Sequence, residues 1–149
     1  VSDLRTAAGA ADIISCAPLS QEPLLRGDWI APGTHVDLVG AFKPTMREAD
    51  EELMRRASIF VDTRTGAFSE AGDIVMAIEH GAITSANIRA DLAELVTGAH
   101  PGRQGPREIT VFKSVGAALE DLAAAVLVFE RLVRESATTK DAVPGLSGS

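Results

Sequence analysis

The residues best placed to do chemistry in this chain lie at one junction, Lys113-Ser114, with Gly116 two residues on. They close a short β-type run, Ile109-Thr110-Val111-Phe112, and precede an apolar helical pattern that reaches Leu132. Strand, polar tip, glycine and helix in succession present backbone N–H groups and a hydroxyl to a ligand at the edge of an α/β core. Three other apolar runs also end in small or polar residues, at Cys16-Ala17, Gly40-Ala41 and Asp62-Thr63. Open parallel sheets bind ligands at that carboxyl edge, so these tips together predict one wall of a binding site.

Other chemistries find little support. A dinucleotide-binding turn G-x-G-x-x-G is absent, and so are a P-loop and a G-x-S-x-G nucleophile elbow. His35, His80 and His100 are isolated, with no metal-ligand spacing around them. His80 before Gly81 reads as the C-terminal residue of a helix. Cys16 sits in the apolar run Ile13 to Ala17 and reads as a structural thiol. The acidic cluster Glu48, Asp50, Glu51 and Glu52 reads as a solvated helix face, with Arg55 and Arg56 as cations favourable to the dipole at its end.

The elements that must position the four tips follow from patterning. At 149 residues the chain can form one domain with a proper core. Aromatics make up 4%, with one Trp and no Tyr, so Ala, Leu, Val and Ile must fill that core, as in buried parallel sheets. Val1 to Ala11 reads as the end of a helix, and strands are expected at 13–16, 34–39, 58–62 and 109–112. Glu22 to Ile30 is expected to form one or two helical turns. Thr45 with Glu48 reads as a capping box for a helix over 46–57. Helical pieces interrupted near Gly72 are expected over 69–79, and a helix over 88–96 stopped by Gly98. Residues 99–107 read as a surface loop and 137–149 as a flexible tail. Strand–helix alternation at this spacing predicts an α/β fold with right-handed crossovers, the second half of a doubly wound parallel sheet plus a long C-terminal helix. Along that helix Val115, Leu119, Leu122, Val126, Phe129 and Val133 form a seam, widened by Ala123 and Leu127. The seam fits either the sheet of its own domain or another domain or subunit.

Net charge is −7 and the sequence pI about 4.9, which disfavours nucleic acid and anionic membrane surfaces as partners. Cys16 is the only cysteine, so no internal disulfide forms. No stretch reaches the ~18 apolar residues of a membrane span, and no signal peptide is read at the start. A cytoplasmic protein is expected.

Several segments carry a further signal in their order and spacing. They are Glu22-Pro23 with Gly27-Asp28-Trp29-Ile30, then Pro32-Gly33-Thr34-His35-Val36 and Val39-Gly40-Ala41-Phe42-Lys43-Pro44 with Met46-Arg47-Glu48. Val61-Asp62-Thr63-Arg64, Glu70-Ala71-Gly72-Asp73 and Ala93 to Gly98 follow, then Phe112 to Gly116 with Glu120-Asp121. From about Asp12 to Leu132 this series resembles the C-terminal part of the ornithine cyclodeaminase/μ-crystallin family. The resemblance implies a Rossmann-type domain that binds NAD or NADP in the complete protein, a dimerisation/substrate domain built from both chain ends, and a homodimer. It also implies a small amino or imino acid as substrate. On its terms residues 1–114 are a partial nucleotide-binding domain and 115–136 a helix leading toward the dimerisation domain.

Residue by residue, the resemblance places Cys16 and Ala17 on the adenosine side of the cofactor, with Pro18 where a threonine is usual. It places Val39, Gly40 and Ala41 beneath the nicotinamide ribose, and Lys113 and Ser114 near the nicotinamide. The family's cyclodeaminases carry a proton-transferring aspartate where this chain has Phe42, which cannot transfer a proton. The expectation is therefore an imine reductase or related dehydrogenase, with a non-catalytic ligand-binding protein as the alternative and cyclodeamination disfavoured. The phosphate-binding turn and the substrate-binding Arg and Lys residues of the family have no counterpart in this sequence, so the chain is expected to be a fragment that is inactive alone.

Overall fold

Asp3 accepts from the amides of Arg5 and Thr6 and starts α1 (Leu4–Ala10). The chain then enters β1 (Ile13–Cys16), passes a 3-10 turn at Gly27–Trp29, and continues through β2 (His35–Leu38), α2 (Glu51–Arg56) and β3 (Ser58–Val61). Next come α3 (Arg64–Ser69), α4 (Gly72–Glu79), β4 (Ile88–Asp91), α5 (Leu92–Val96), β5 (Thr110–Lys113) and α6 (Ala118–Asp141). This computed structural model describes residues 3–141, and the chain divides between Gly116 and Ala117 into two units.

The first unit is a five-stranded sheet in the order β1-β2-β5-β3-β4, with every pair parallel. The expected α/β class and parallel sheet are present, and β5, last in sequence, lies in the middle. Period-two alternation sends Val36, Leu38, Ile59, Val61 and Val111 to one face, where they are fully buried with Leu53, Met54 and Ile74 of α2 and α4. β1 stands at the sheet edge with Ile13 72% exposed, and an apolar groove of about 450 Å³ runs between β1 and α1.

Two expectations are corrected. Residues 88–96 are not one helix: Ile88–Asp91 pair with β3, and Asp91 then starts α5 by a capping box with Glu94. Ile88 and Ala90 are buried while Arg89 is exposed, a period-two signal too short to outweigh the helix formers that follow. The helix expected over 46–57 begins only at Glu51, capped by Asp50, whose carboxylate accepts from Leu53 N and from Gly27 N. The Thr45/Glu48 pair does not cap it, because residues 46–49 are engaged elsewhere: Arg47 N donates to Ser20 O, and Leu24 N and Leu25 N donate to Glu48 O. Tertiary contacts override the local motif.

The second unit is α6, on which Leu119, Leu122, Val126, Phe129 and Val133 of the seam are exposed. It includes residues 137–141 of the expected tail, while 142–149 lie outside the described residues.

Gly72 opens α4 against the chain entering α2. A Cβ there would sit 1.9 Å from Met46 O and 2.7 Å from Lys43 O, both backbone atoms that cannot swing away. Gly72→Ala is expected to destabilise the sheet unit by about 2–3 kcal/mol in urea titration. Gly105→Ala, with nothing within 4 Å of the added carbon, should stay within about 0.5 kcal/mol of wild type. Equal effects would show that the close approach at Gly72 is not real.

Candidate functional site

Strand register assembles the tips. Cys16 pairs Leu38, Leu38 pairs Lys113, and Lys113 pairs Val61, so the chain leaves four adjacent strands at one level. The ladder continues one bond further, with Val39 N to Cys16 O at 2.9 Å, Ser114 N to Leu38 O at 3.0 Å and Asp62 N to Lys113 O at 3.3 Å. Gly40 is buried where β2 exits across β1. A Cβ there would lie 2.1 Å from Pro18 O and 2.6 Å from Ala17 C, so only glycine lets these backbones meet. Val39 and Phe42 are exposed, as is Ala17; Cys16 and Ser114 are half-buried, and Ala41 is buried. The structure thus brings Cys16, Ala17, Val39, Gly40, Ala41 and Ser114 to one edge.

The polar groups of the β5 tip are already engaged. Asp62 Oδ2 accepts from Ser114 Oγ at 3.1 Å and from the amides of Val115 and Gly116, each at 2.8 Å. Asp62 Oδ1 accepts from its neighbour Thr63 N at 2.6 Å. The nest read from the sequence as a ligand cradle therefore holds a carboxylate of the same chain, which fixes the turn, with Gly116 at φ +85°. Ser114 has given its one proton to Asp62 and accepts from Gly116 N at 3.3 Å, so what it retains for a ligand is acceptor capacity.

Lys113 turns the other way. Its side chain is fully buried, with Nζ 2.8 Å from Glu48 Oε2 and 3.4 Å from Asp73 Oδ2. At the edge it contributes only backbone. Glu48 Oε2 also accepts from Ala41 N at 3.0 Å. Asp73 Oδ1, in the first turn of α4, accepts from Glu48 N and Ala49 N at 2.8 and 2.9 Å. Glu48 Oε1 and Asp73 Oδ2 are buried without a hydrogen-bond partner among the described residues. The reading of Glu48 as part of a solvated helix face is thus corrected: both its carboxylate and that of Asp73 lie in the core. Burial, only partly offset by Lys113 and the two amides, holds the Asp73 carboxyl above its ordinary range. One sequence signal could have found the cluster: a lysine at the end of an otherwise apolar strand requires a buried carboxylate partner.

Other candidates sit apart. His35 lies on the opposite sheet face, with Nδ1 2.8 Å from Thr110 Oγ1, and burial pulls its pKa down. Burial first, and then the Glu48 and Asp73 charges, push the Cys16 thiol up, which suits a structural role. Among the described residues no group of three or more His, Cys, Asp or Glu side chains could hold a metal ion, and no helix is long and apolar enough to cross a membrane.

A sequence model of the ornithine cyclodeaminase/mu-crystallin family matches residues 1–136. The chain belongs to this family. It is 49% identical over 122 residues to a Delta(1)-pyrroline-2-carboxylate reductase of Paracoccus denitrificans, covering 82% of this chain and 39% of that protein. Over 129 residues it is 42% identical to the ketimine reductase mu-crystallin of Mus musculus, covering 87% and 38% respectively. The solved structure of Thermococcus litoralis Delta(1)-pyrroline-2-carboxylate reductase in complex with NADH and L-proline superposes with a TM-score of 0.88 at 40% identity, over 91% of this chain and 42% of that one. The chain therefore spans about two fifths of the length of these family members, and its sheet has the Rossmann-type α/β architecture expected from its strand tips.

Within this family segment the Asp73 carboxyl offers a direct test of the buried cluster. A carboxyl that keeps its proton to higher pH when folded makes folding lose stability as pH rises from the unfolded value, near 3.8, through the folded one. Asp73→Asn keeps an oxygen for the two amides and removes that proton equilibrium. The stability of wild type relative to Asp73→Asn should thus fall as pH rises above the unfolded value, near 3.8, in denaturant titrations. Parallel pH curves would show that Asp73 does not carry the raised pKa.

Proposed function

We propose that this chain is the C-terminal part of an NAD(P)-dependent oxidoreductase that acts on a small imino or amino acid, a ketimine or pyrroline-carboxylate reductase. The observation that carries this reading is the register that ends β2 and β5 level with one another, so that Val39-Gly40-Ala41 and Ser114 leave adjacent strands at the same carboxyl edge. That edge is where an open parallel sheet receives a dinucleotide. The residues fit such a group: Ala17 and Val39 are exposed with Gly40 between the two strand exits, which leaves room for close approach, and Ser114 Oγ offers an acceptor suited to a carboxamide N–H. A nicotinamide dinucleotide, when bound, supplies the hydride. The chain's own part is to hold the ring against the substrate carbon and keep water away.

Phe42 bears on the choice between chemistries. It is 41% exposed beside Gly40-Ala41, with the Lys43 ammonium 5.7 Å from its ring centroid. An aromatic ring can cover a cofactor and a cyclic substrate but cannot exchange a proton, which favours reduction of an imine over cyclodeamination. The same residue also favours a second reading, a protein that binds a nucleotide or small ligand without turnover. Residues 1–114 serve as the nucleotide-binding part and 115–136 as the helix leading to a dimerisation/substrate domain of a homodimer. The single cysteine suits a cytoplasmic protein.

The test is an assay of a protein of the relatives' full length carrying this segment, with Δ1-pyrroline-2-carboxylate and NADH or NADPH. Cofactor oxidation that requires the imine is expected. Tight cofactor binding with no turnover of any of several cyclic imines would instead establish the second reading. The 149-residue chain, which has no G-x-G-x-x-G turn to anchor a pyrophosphate, is expected to show no heat of binding with NADH in calorimetry.

A further inference from the structure

The Lys113–Glu48–Asp73 cluster is costly and gains little as a source of stability. Taking an ammonium and two carboxylates out of water carries a desolvation penalty that apolar residues of like volume avoid, so a buried ion pair is weak evidence for stabilisation. Two of its oxygens lack hydrogen-bond partners among the described residues, which adds to the penalty. What the cluster does supply is position. One oxygen, Glu48 Oε2, accepts from Lys113 Nζ at 2.8 Å and from Ala41 N at 3.0 Å. Lys113 immediately precedes Ser114 on β5, and Ala41 immediately precedes Phe42 after β2. A single atom therefore ties together the two segments that form the proposed nicotinamide wall.

The rest of the cluster immobilises Glu48 itself. Its amide and that of Ala49 are held by Asp73 Oδ1, and Asp73 is seated there by the backbone contact of Gly72 with Met46. Its carbonyl accepts from Leu24 N and Leu25 N. A side chain fixed at its amide, its carbonyl and its carboxylate is a rigid spacer, the support a preorganised site requires.

We propose that Glu48 is a positioning residue for cofactor binding and hydride transfer, setting Ala41 and Phe42 against Ser114 through its bond to Lys113. This rests on the reading of the carboxyl edge as the cofactor wall. Two variants separate position from charge. Glu48→Gln keeps an acceptor oxygen for Ala41 and Lys113. Glu48→Leu removes it, while Asp73, already 3.4 Å from Nζ, remains to neutralise Lys113.

In the full-length protein Glu48→Gln is expected to stay within about threefold of wild type, as loss of a charge alone should leave the geometry intact. Glu48→Leu should lower kcat/KM by about 30-fold or more, with kcat falling more than KM rises, because misplacement of this order acts on the transition state. It should also weaken NADH binding about tenfold in fluorescence titration and speed amide exchange at Ala41 in the ligand-free protein. Should Glu48→Leu fail to fold, the double variant Glu48→Gln/Lys113→Met leaves no unpaired ammonium and severs Ala41 from β5, with the same loss of NADH affinity and kcat expected.

An active wild type with Glu48→Leu equal to it, or with Glu48→Gln as impaired as Glu48→Leu, overturns the positioning role and leaves the oxidoreductase reading standing. A wild type that neither binds NADH nor reduces any imine overturns both.

Discussion

Glu48 Oε2, buried between the Lys113 ammonium and the Ala41 amide, is the contact on which the geometry of the carboxyl edge depends. β2 and β5 are joined along their lengths by ladder hydrogen bonds, but the ladder ends at the tips, where Val39-Gly40-Ala41 and Ser114 depart in different directions. Past that point only side chains can hold the two segments in register. Glu48 does so from below, and Asp62 does so at the next strand by gathering the Ser114 hydroxyl and the amides of Val115 and Gly116. Two carboxylates, one fully buried and one nearly so, thus fix an edge whose exposed residues, Ala17, Val39 and Phe42, are themselves small or apolar.

This division of labour explains why the exposed part of the site looks chemically plain. Hydride transfer asks the protein for shape and exclusion of water more than for acid–base groups. On the proposed reading the exposed Ala17, Val39 and Phe42 supply shape, and the carboxylates of Glu48 and Asp62 are buried. Among the described residues β1 has a neighbour on one side only, and the apolar groove along it is bounded by α1. Family members are a little over twice as long as this chain, and on the proposed reading the remaining walls of the site come from the rest of that length.

Much of the fold was legible because its signals are local. Apolar runs ending at Cys16, Leu38, Val61 and Lys113 gave the strand ends to within a residue or two, and the glycine and proline punctuation gave the loops. β4 was not legible. Ile88-Arg89-Ala90-Asp91 has weak strand propensity, and only pairing with β3 makes it a strand. The tips of the candidate site were legible as small residues after apolar runs, but the directions of their polar groups were not. Nothing local distinguishes Glu48 from Glu51 or Glu52 in the acidic stretch. Its burial follows from Gly72 and Asp73, 24 and 25 residues away in sequence, and from Lys113, 65 residues away. Likewise Ser114 reads as a free hydroxyl until Asp62 is seen to hold it.

The most direct measurement is a crystal structure of a full-length protein carrying this segment, grown with NADH. The nicotinamide should lie against Gly40-Ala41, with its carboxamide nitrogen about 3 Å from Ser114 Oγ and the Glu48–Lys113–Ala41 contacts unchanged beneath it. A nicotinamide bound elsewhere, or one seated there only after Glu48 has let go of Ala41, would contradict the assignment of this edge as a prebuilt cofactor wall.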